Sequence, residues 1–447
     1  MVAKLLTSAL LLNGVVAFPS IAEHVAKNRR QALPVVLPFP EYPGTPDHAF
    51  FNGFDASSQL VDVSGDHEYR APGKGDIRGP CAGLNSAANH GYISRDGIAN
   101  AADITKGLWE AFSLDITATT VLTTVTSFFN GDPLSGRWSI GPHSDKTNSL
   151  GALGNILGNE TGICAYGHLR SEGDASITRG DWLAPEMNSN CRSYPEFMQQ
   201  LFDLADQRDP NGWITPRILA EHADNRKKHS IATNPNYFSP PYAGVAFTFG
   251  AHMFAFELLA NHSAEYPRGF MPQELFMTSF GYTRDSAGKL QFNHGTERIP
   301  ENWYKRSPQD PWGAKDIAAS TAQQCASYPS SCLVGGNTGE VNSFSGVNLG
   351  DISGGFVNSV EDLQDPQRLG CFISQMVIAD TPSSLSNVLE GTALVTALGM
   401  IDSSLKPALA NLGSCPNVPP GRAQHEYDGK FPGAQAPVSG PRGSGDP

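Results

Sequence analysis

Cys81 lies in the stretch RGPCAGLNSAANHGYISRDG, residues 78–97, between a Gly-Pro pair and a short run of helix-forming residues. This context predicts a helix that begins at the cysteine, where free N–H groups and the helix dipole favour a thiolate. Such a thiolate could be a nucleophile or a metal ligand, and half of a disulfide is the third possibility. His90 follows on the same helix, but nothing local completes a catalytic triad. The spacing alone leaves the role of Cys81 open.

A second candidate residue is Glu257, the single carboxylate of the apolar stretch FTFGAHMFAFELL. An acid in such a helix is costly to bury unless it has a use or a partner, which makes it a candidate for proton transfer. The alternative is a helix that turns Glu257 to solvent, where most glutamates lie. His252 is the other ionisable group of this stretch.

The N-terminus has the features of an exported chain. Residues 1–17 combine one lysine, an apolar run and small residues before a cleavage point near Ala17, which predicts a secretory signal peptide. The apolar run is shorter than the roughly 20 residues that a membrane span needs. Two sequons, at Asn159 and Asn261, are candidate glycosylation sites. We therefore expect a secreted, extracellular protein without a membrane partner.

The charge of the chain argues against nucleic-acid binding. The formal net charge is −13 and the sequence pI is about 5.3. No basic stripe is present that could displace counterions from a phosphate backbone. Nucleic acid is therefore not an expected partner.

The elements that must position these residues are mainly helices. Residues 18–70 are rich in proline and aromatics and predict an extended arm or a propeptide, whereas residues 333–359 predict an ordered loop or a short hairpin. The Thr-rich residues 117–127 have strand propensity, but they are long and follow a helical run, so we predict a buried helix. Residues 416–447 have the composition of a disordered tail. The helical patterns are NAADITKGLWEAF, ITATTVLTTVTSFF, YPEFMQQLFDLADQ, TPRILAEHADNRKKHS and AFTFGAHMFAFELLA.

The stretch PCAGLNSAANHGY, from Pro80 to Tyr92, resembles the signature of the fungal heme-thiolate peroxidases, which include chloroperoxidase and the unspecific peroxygenases. That signature is Pro-Cys-Pro, Leu-Asn, a run of small residues and His-Gly-Tyr. Ala82 replaces the second proline and restores an N–H that proline lacks. The resemblance implies that Cys81 is the proximal ligand of the iron of heme b. Cys81 would then be the odd one of the seven cysteines.

The stretch HLRSEGDASITRGDW, residues 168–182, resembles the Glu-Gly-Asp segment of the same family. The resemblance implies a divalent cation beside a heme propionate, held by Glu172, the carbonyl of Gly173 and Ser176. Oxygen ligands of this kind suit Mg²⁺. Taken alone, Glu-Gly-Asp is more often a turn. HSIATNPNYF, residues 229–238, is similar to the family segment that precedes the distal helix.

The resemblance gives Glu257 a chemical role. In this family a glutamate takes a proton from one oxygen of hydrogen peroxide and delivers it to the other, so that water leaves. Long peroxygenases also carry an arginine seven residues before that glutamate, where this sequence has Gly250. We expect His252 to supply the charge or hydrogen bond instead, although five residues correspond to about 140° of helix rotation. Chloroperoxidase-like members have Glu-His-Asp in place of Glu-Gly-Asp.

The substrate channel and one cysteine pair follow from the same likeness. Channel positions that are often aromatic in long peroxygenases fall at Leu114, Ala118 and Val121, which predicts a roomier pocket; ordinary helix-core packing is the alternative. Cys371 and Cys415 resemble the family's C-terminal disulfide. Cys164 with Cys191 and Cys325 with Cys332 are two further candidate pairs among about 15 connectivities.

The resemblance covers Gly75 to Cys415 and implies a mainly α, single-domain, chloroperoxidase-like fold over residues 71–415, with few short strands and long loops. The expected function is transfer of oxygen from hydrogen peroxide to a small organic substrate, by a monomer or dimer. Alternatives are a haloperoxidase or one-electron peroxidase of a secondary-metabolite pathway, and a heme-binding secreted protein without peroxide turnover. Hydrolase motifs such as Gly-x-Ser-x-Gly are absent from the sequence, and His222 and His229 are expected to be solvated.

Overall fold

The computed structural model describes residues 53–132, 135–148, 161–164, 173–379, 415–419, 427 and 429–434. The predicted signal peptide, residues 18–52 of the predicted arm, the sequon at Asn159 and the candidate ligand Glu172 lie outside these residues.

Helices make up most of the regular structure of the described residues. The helices are α1 (Ala56–Gln59), α2 (Ala82–Asn89), α3 (Ala101–Phe112), α4 (Ile116–Phe129), α5 (Pro195–Arg208), α6 (Pro216–Thr233), α7 (Thr248–Glu257), α8 (Gln273–Ser279), α9 (Ala314–Ser327), α10 (Leu349–Ile352) and α11 (Pro366–Ala379). A π-helical turn, Ala243–Phe247, precedes α7. Each of the five predicted helical patterns overlaps one of these helices.

The Thr-rich segment is helix α4, as predicted, although threonine favours strands. Asp115 starts the helix, because its Oδ1 accepts the N–H of Thr117 at 2.8 Å. Threonine hydroxyls inside the helix donate to carbonyls of the preceding turn, from Thr120 to Ile116 at 2.6 Å and from Thr123 to Thr119 at 2.7 Å. These bonds satisfy the hydroxyls of Thr120 and Thr123 inside the helix, without a strand partner.

In the part of the chain that the structure describes, the strands are short and form three small antiparallel sheets. They are β1 (Ile98–Asn100), β2 (Arg137–Ser139), β3 (Phe238–Ser239), β4 (Tyr282–Arg284), β5 (Leu290–Phe292), β6 (Gly335–Gly336) and β7 (Ser345–Gly346). β1 pairs with β2, β4 with β5, and β6 lies between β3 and β7. The pairing of β6 with β7 confirms the short hairpin predicted within residues 333–359.

Two apolar clusters form the core. The first joins α3, α5, α6 and α7 through buried residues such as Ile104, Leu201, Leu219 and Phe256. The second joins α4, α9 and α11, for example at Phe372. The functional cavity described below takes lining residues from both clusters.

Part of the predicted tail is packed rather than disordered. Tyr427 and Phe431 are buried, and their rings lie 5.0 Å and 5.3 Å from the ring of Phe238. Two aromatic side chains in a polar, Pro/Gly-rich run bury enough apolar area to dock it there. Within the predicted arm, Val61 is also buried, and its N–H donates to Trp303 O at 3.1 Å.

Six of the seven cysteines form three disulfides. Cys371–Cys415, implied by the resemblance, is present, and so are the candidate pairs Cys164–Cys191 and Cys325–Cys332. Cys81 is not part of a disulfide. Within the described residues, no helix has both the length and the apolar character of a membrane span.

Candidate functional site

A largely apolar cavity of about 210 Å³ lies between the start of α2 and one face of α7. One wall carries Cys81 and its neighbours Pro80 and Ala82. The facing helix contributes residues at positions three and four apart, which share one side of a helix. These α7 residues are Thr248, Gly250, Ala251, Phe254 and Ala255. The cavity therefore brings the predicted proximal cysteine and the predicted distal helix to the same site.

Cys81 stands immediately before α2, as the sequence predicts. It is the N-cap residue of that helix, with φ −87° and ψ 108°, and its carbonyl accepts the N–H of Asn85 at 3.0 Å. The Cys81 side chain is exposed and borders the cavity. A sulfur at a helix start, open to an apolar cavity, is placed to meet a bound group.

The loop before Cys81 is held by Asn85. The Gly79 N–H donates to Asn85 Oδ1 at 2.9 Å, and Asn85 Nδ2 donates back to Gly79 O at 2.8 Å. Gly79 also approaches the residue that follows β2 closely, since a Cβ placed there would lie 2.0 Å from Ile140 O. The backbone ahead of Cys81 is thus fixed on two sides.

Two buried charged side chains complete this support. Arg179 Nε donates to Pro80 O at 3.0 Å, and Arg179 Nη2 lies 3.6 Å from Glu297 Oε1. Glu297 Oε1 also accepts from Asn85 Nδ2 at 2.9 Å. Burial raises the pKa of Glu297, while Arg179 and the Asn85 hydrogen bond lower it. Sequence reasoning missed Glu297 and the role of Arg179, because their partners lie far away along the chain.

The other polar residues of the Cys81 motif bind the same segment as Asn85. Asn89 Nδ2 donates to Gly295 O at 2.8 Å and to Glu297 O at 2.7 Å. The Ile299 N–H donates to His90 Nε2 at 3.1 Å. The motif residues on α2 therefore dock this helix onto residues 295–299.

The Glu-Gly-Asp segment forms a polar edge of the cavity. Gly173 and Ser176, two of the predicted Mg²⁺ ligands, line the cavity, while Glu172 lies outside the described residues. The Ser176 carbonyl accepts from buried Arg226 Nε at 3.1 Å. Within the described residues, no group of three or more His, Cys, Asp or Glu side chains could hold a metal.

Two aspartates shape this edge. Ala175 N–H donates to Asp181 Oδ1, and Trp182 N–H donates to Asp174 Oδ1, each at 2.9 Å. Ala175 has a positive φ of 62°, which an alanine rarely adopts without such restraint. These bonds fold the segment so that Gly173 and Ser176 both reach the cavity.

Glu257 is buried rather than exposed, which contradicts the solvent-facing alternative. Its Oε2 lies 2.5 Å from Arg306 Nη1, a residue of the loop before α9. Burial raises the pKa of Glu257 to about 7, whereas Arg306 lowers it and Asp310 and Asp316 raise it further. Glu257 is not among the residues that line the cavity. Sequence reasoning missed Arg306, which lies 49 residues after its partner.

Arg306 is itself anchored. Its Nη2 lies 2.8 Å from Asp310 Oδ2, and its Nε donates to Asp310 O at 2.5 Å. The guanidinium also lies 5.3 Å from the ring centroid of Trp312, a cation–π distance. A cation held at three points is a fixed electrostatic partner for Glu257.

His252 does not have the surroundings expected of a charge donor. Its Nδ1 lies 2.8 Å from Thr248 O, and burial lowers its pKa to about 4, so the ring is neutral at neutral pH. The carbonyl partner places the ring proton on Nδ1, which leaves Nε2 without a proton. His252 is not among the cavity-lining residues. Its ring centroid lies 5.8 Å from that of His222.

Two of the three predicted channel positions border the cavity. Leu114 and Val121 are lining residues, whereas Ala118 is fully buried in the first apolar cluster and does not line it. For Ala118 the core-packing alternative is therefore the right one.

Two surface expectations can also be compared with the structure. His222 was expected to be solvated, and this is wrong: the ring is buried, and its Nε2 lies 3.0 Å from Ile177 O. Asn261 is half-buried, and its Oδ1 accepts the N–H of Tyr304 at 3.0 Å. Glycosylation at Asn261 stays a prediction.

The sequence profile of peroxidase family 2 matches residues 67–308, a span that contains Cys81 and Glu257. An aromatic peroxidase of Fusarium equiseti is 34% identical over 396 residues, which cover 86% of this chain and 88% of that protein. The chain belongs to peroxidase family 2.

Other relatives of this family 2 peroxidase carry related names. A dothistromin biosynthesis peroxidase of Dothistroma septosporum is 35% identical over 368 residues, covering 79% of this chain and 83% of that protein. An aromatic peroxygenase of Cyclocybe aegerita is 33% identical over 225 residues, which cover 50% of this chain and 57% of that protein. Membership confirms the resemblance and the mainly helical, chloroperoxidase-like fold, and it identifies the chain as a peroxidase-type enzyme that oxidises with peroxide.

The cavity fits the heme that membership in this family implies. A porphyrin is flat and apolar, with carboxylates at one edge, and needs one ligand from the protein to its iron. The cavity has apolar walls, a cysteine on one side and a polar edge at Ser176, Thr178 and Arg179. Thr178 Oγ1 is buried on this edge without a hydrogen-bond partner among the described residues. Such an atom is suited to meet a polar group of a bound ligand.

Proposed function

We propose that this family 2 peroxidase binds heme b in the cavity through the Cys81 thiolate and uses hydrogen peroxide to transfer oxygen to small organic substrates. The observation that carries the proposal is the position of Cys81, a thiol at a helix start that opens onto an apolar cavity facing α7. When bound, the heme supplies the redox chemistry with peroxide, which no side chain provides.

We assign the polar edge of the cavity to the heme carboxylates. Glu172, the carbonyl of Gly173 and Ser176 would hold Mg²⁺ against one carboxylate, as the sequence predicts. The cavity position of Gly173 and Ser176 supports this assignment. Oxygen donors and a carboxylate are the ligand types that Mg²⁺ prefers.

We assign the proton transfer to Glu257. A group that takes a proton from one peroxide oxygen and gives it to the other works best with a pKa near the working pH, and the pKa of Glu257 is about 7. Gly250, two helical turns before Glu257, lines the cavity, so both residues project to nearly the same side of α7. To reach bound peroxide, the Glu257 carboxylate would have to rotate away from Arg306 toward the cavity.

Arg306 is the better candidate for the charge that His252 was expected to supply. Arg306 contacts Glu257 directly and stays charged at all relevant pH values. His252 is neutral at neutral pH, and its Nδ1 is hydrogen-bonded to Thr248 O. The structure thus favours a cation from the loop before α9 over a histidine from α7 itself.

The substrate should be small and largely apolar, because the cavity walls are aliphatic and aromatic. Leu114 and Val121 leave room where long peroxygenases often have aromatic residues. The names of the relatives include an aromatic peroxidase and an aromatic peroxygenase, which supports an aromatic substrate for this chain. We also propose secretion, which the three disulfides support because they form in oxidising compartments.

Labelled hydrogen peroxide tests oxygen transfer. With an aromatic substrate and peroxide carrying heavy oxygen, the label should appear in a hydroxylated product. Label found only in water, together with radical-coupled or halogenated products, would instead assign one-electron peroxidation or halide oxidation. Peroxidation is a serious alternative to oxygen transfer, because two relatives that each cover 79% or more of this chain are named peroxidases. Heme binding without any turnover would reduce the protein to a heme carrier.

A further inference from the structure

Beyond this proposed function, we infer that the buried pair Arg179–Glu297 positions the Cys81 loop and sets the electron density at its sulfur. The effect on electron density rests on the proposed function, because it requires the sulfur to be the ligand of heme iron. The pair lies 3.6 Å apart, with Arg179 2% exposed and Glu297 fully buried.

The positional half follows from the contacts. Arg179 reaches the residue immediately before Cys81, by donating to Pro80 O at 3.0 Å. Glu297 reaches the same loop through Asn85, which holds both backbone groups of Gly79. Arg179 and Glu297 thus hold the Gly79–Pro80 segment through separate hydrogen bonds. The contact between the two side chains connects these hydrogen bonds.

A second contact network fixes Arg179 from the other side. Arg179 Nη1 donates to Cys191 O at 3.3 Å, and Cys191 is bonded to Cys164. The Arg179 guanidinium carbon also lies 5.3 Å from the ring centroid of Phe292. The side chain that holds Pro80 therefore cannot change rotamer without breaking contacts to two other segments.

The electronic half follows from the signs of the charges. Arg179 and Cys81 border the same cavity, and because Arg179 is only 2% exposed, its charge is screened by water less than a surface charge is. The positive guanidinium stabilises negative charge on the sulfur and draws density from it, whereas the carboxylate of Glu297 opposes this effect. Outer partners of this kind tune the reduction potential of a ligated metal.

The two charges should therefore shift the reduction potential of the bound heme in opposite directions, whereas a pair with a purely structural role would not. Removing the positive charge in Arg179→Gln should lower the reduction potential of the thiolate-bound heme, because the oxidised iron becomes more stable relative to the reduced iron. Removing the negative charge in Glu297→Gln should raise it. The double variant should lie closer to the wild-type protein than either single variant does.

The full-length chain allows both halves to be measured. Hydrogen exchange of peptides covering residues 79–89 needs no heme, and it should become at least about tenfold faster in either single variant, since a buried charge loses its partner. Arg179→Lys keeps the charge without the planar fork, so the potential should stay near wild type while exchange rises. Arg208→Gln and Glu221→Gln, from a more exposed pair 2.5 Å apart, are matched controls.

Unchanged exchange in both single variants would overturn the positional half, and potentials that move in the same direction would overturn the electronic half. A wild-type protein without a thiolate-type spectrum would instead contradict the proposed function and with it the electronic half. The exchange result would then still decide whether the pair positions the loop.

Discussion

The carboxylate of Glu257 and the guanidinium of Arg306 form a buried ion pair at 2.5 Å, between the end of α7 and the loop that precedes α9. Glu257, which the sequence predicts to transfer protons, thus has Arg306 as a cationic partner that the sequence did not predict. Two predictions depend on this pair and one on the cavity wall formed by α4, while the last two concern Cys81 and the polar edge of the cavity.

Replacing Glu257 by Gln should slow the reaction with peroxide by about 100- to 10,000-fold, the usual cost of losing a positioned acid-base. The thiolate spectrum should stay intact, because Glu257 lies on α7 and not beside Cys81. Stopped-flow mixing with peroxide measures the rate and monitors bound heme in the same experiment. Glu221→Gln, in a more exposed pair with Arg208, is the control. A wild-type rate in Glu257→Gln would move the proton transfer to another residue.

Arg306 should set the pH at which Glu257 works. The guanidinium lowers the pKa of Glu257, which burial has raised to about 7. Proton uptake from peroxide needs the ionised carboxylate, so activity should rise with pH through that value. Arg306→Gln should shift the rise to higher pH, and Arg306→Lys should largely restore it. His252→Ala should leave the midpoint in place because the ring is neutral there; a shift in that variant alone would restore His252 to the role predicted from the sequence.

The wall beside α4 should decide which substrates enter. Val121→Phe adds bulk to a cavity-lining position, so kcat/KM for a two-ring aromatic substrate should fall by roughly tenfold or more, while a one-ring substrate loses less. Steady-state kinetics on both substrates gives the ratio. An equal loss for both would indicate overpacking of the core rather than selection.

Cys81→Ala should abolish thiolate ligation. The reduced carbon monoxide complex of the wild-type protein should show the strongly red-shifted Soret band of a thiolate ligand, and the variant should lack it. Peptide mapping supplies an independent measurement. Detection of Cys81 in a disulfide of the native protein would contradict both the ligand assignment and the three pairs seen here.

Glu172→Gln should weaken heme retention, because one charged ligand of the proposed Mg²⁺ would be lost beside the heme carboxylate. Gel filtration with simultaneous detection of heme and protein measures retention, and elemental analysis measures the cation. Folded, active protein that contains no divalent cation would rule out this site.

The sequence predicted the elements better than the contacts. The helices around Cys81 and Glu257 follow from periodicity and caps, and the Cys81 motif indicated the family. Glu257 could be singled out because a lone carboxylate in an apolar helix is unusual. Its partner Arg306 could not, since pairing across 49 residues depends on how a loop packs against α7.

The errors in the prediction also arise from tertiary packing, which the sequence pattern does not show. Ala118 and Val121 lie on the same helix, yet only Val121 faces the cavity, because the rotation of α4 is set by its neighbours. His222 was expected in solvent because its helix is rich in charged residues. In the folded chain one face of that helix packs beneath the Glu-Gly-Asp segment, and the His222 ring contacts Ile177 O.

The support of the Cys81 loop has a consequence for the order of biosynthesis. The loop belongs to the first quarter of the chain, but Arg179 lies 99 residues after Pro80, and Glu297 lies 212 residues after Asn85. A ribosome that has just released the Cys81 segment has not yet made either partner. The cysteine therefore acquires its fixed geometry only after about two thirds of the polypeptide has been synthesised, so we expect the proposed capture of heme to be a late event in the maturation of this enzyme.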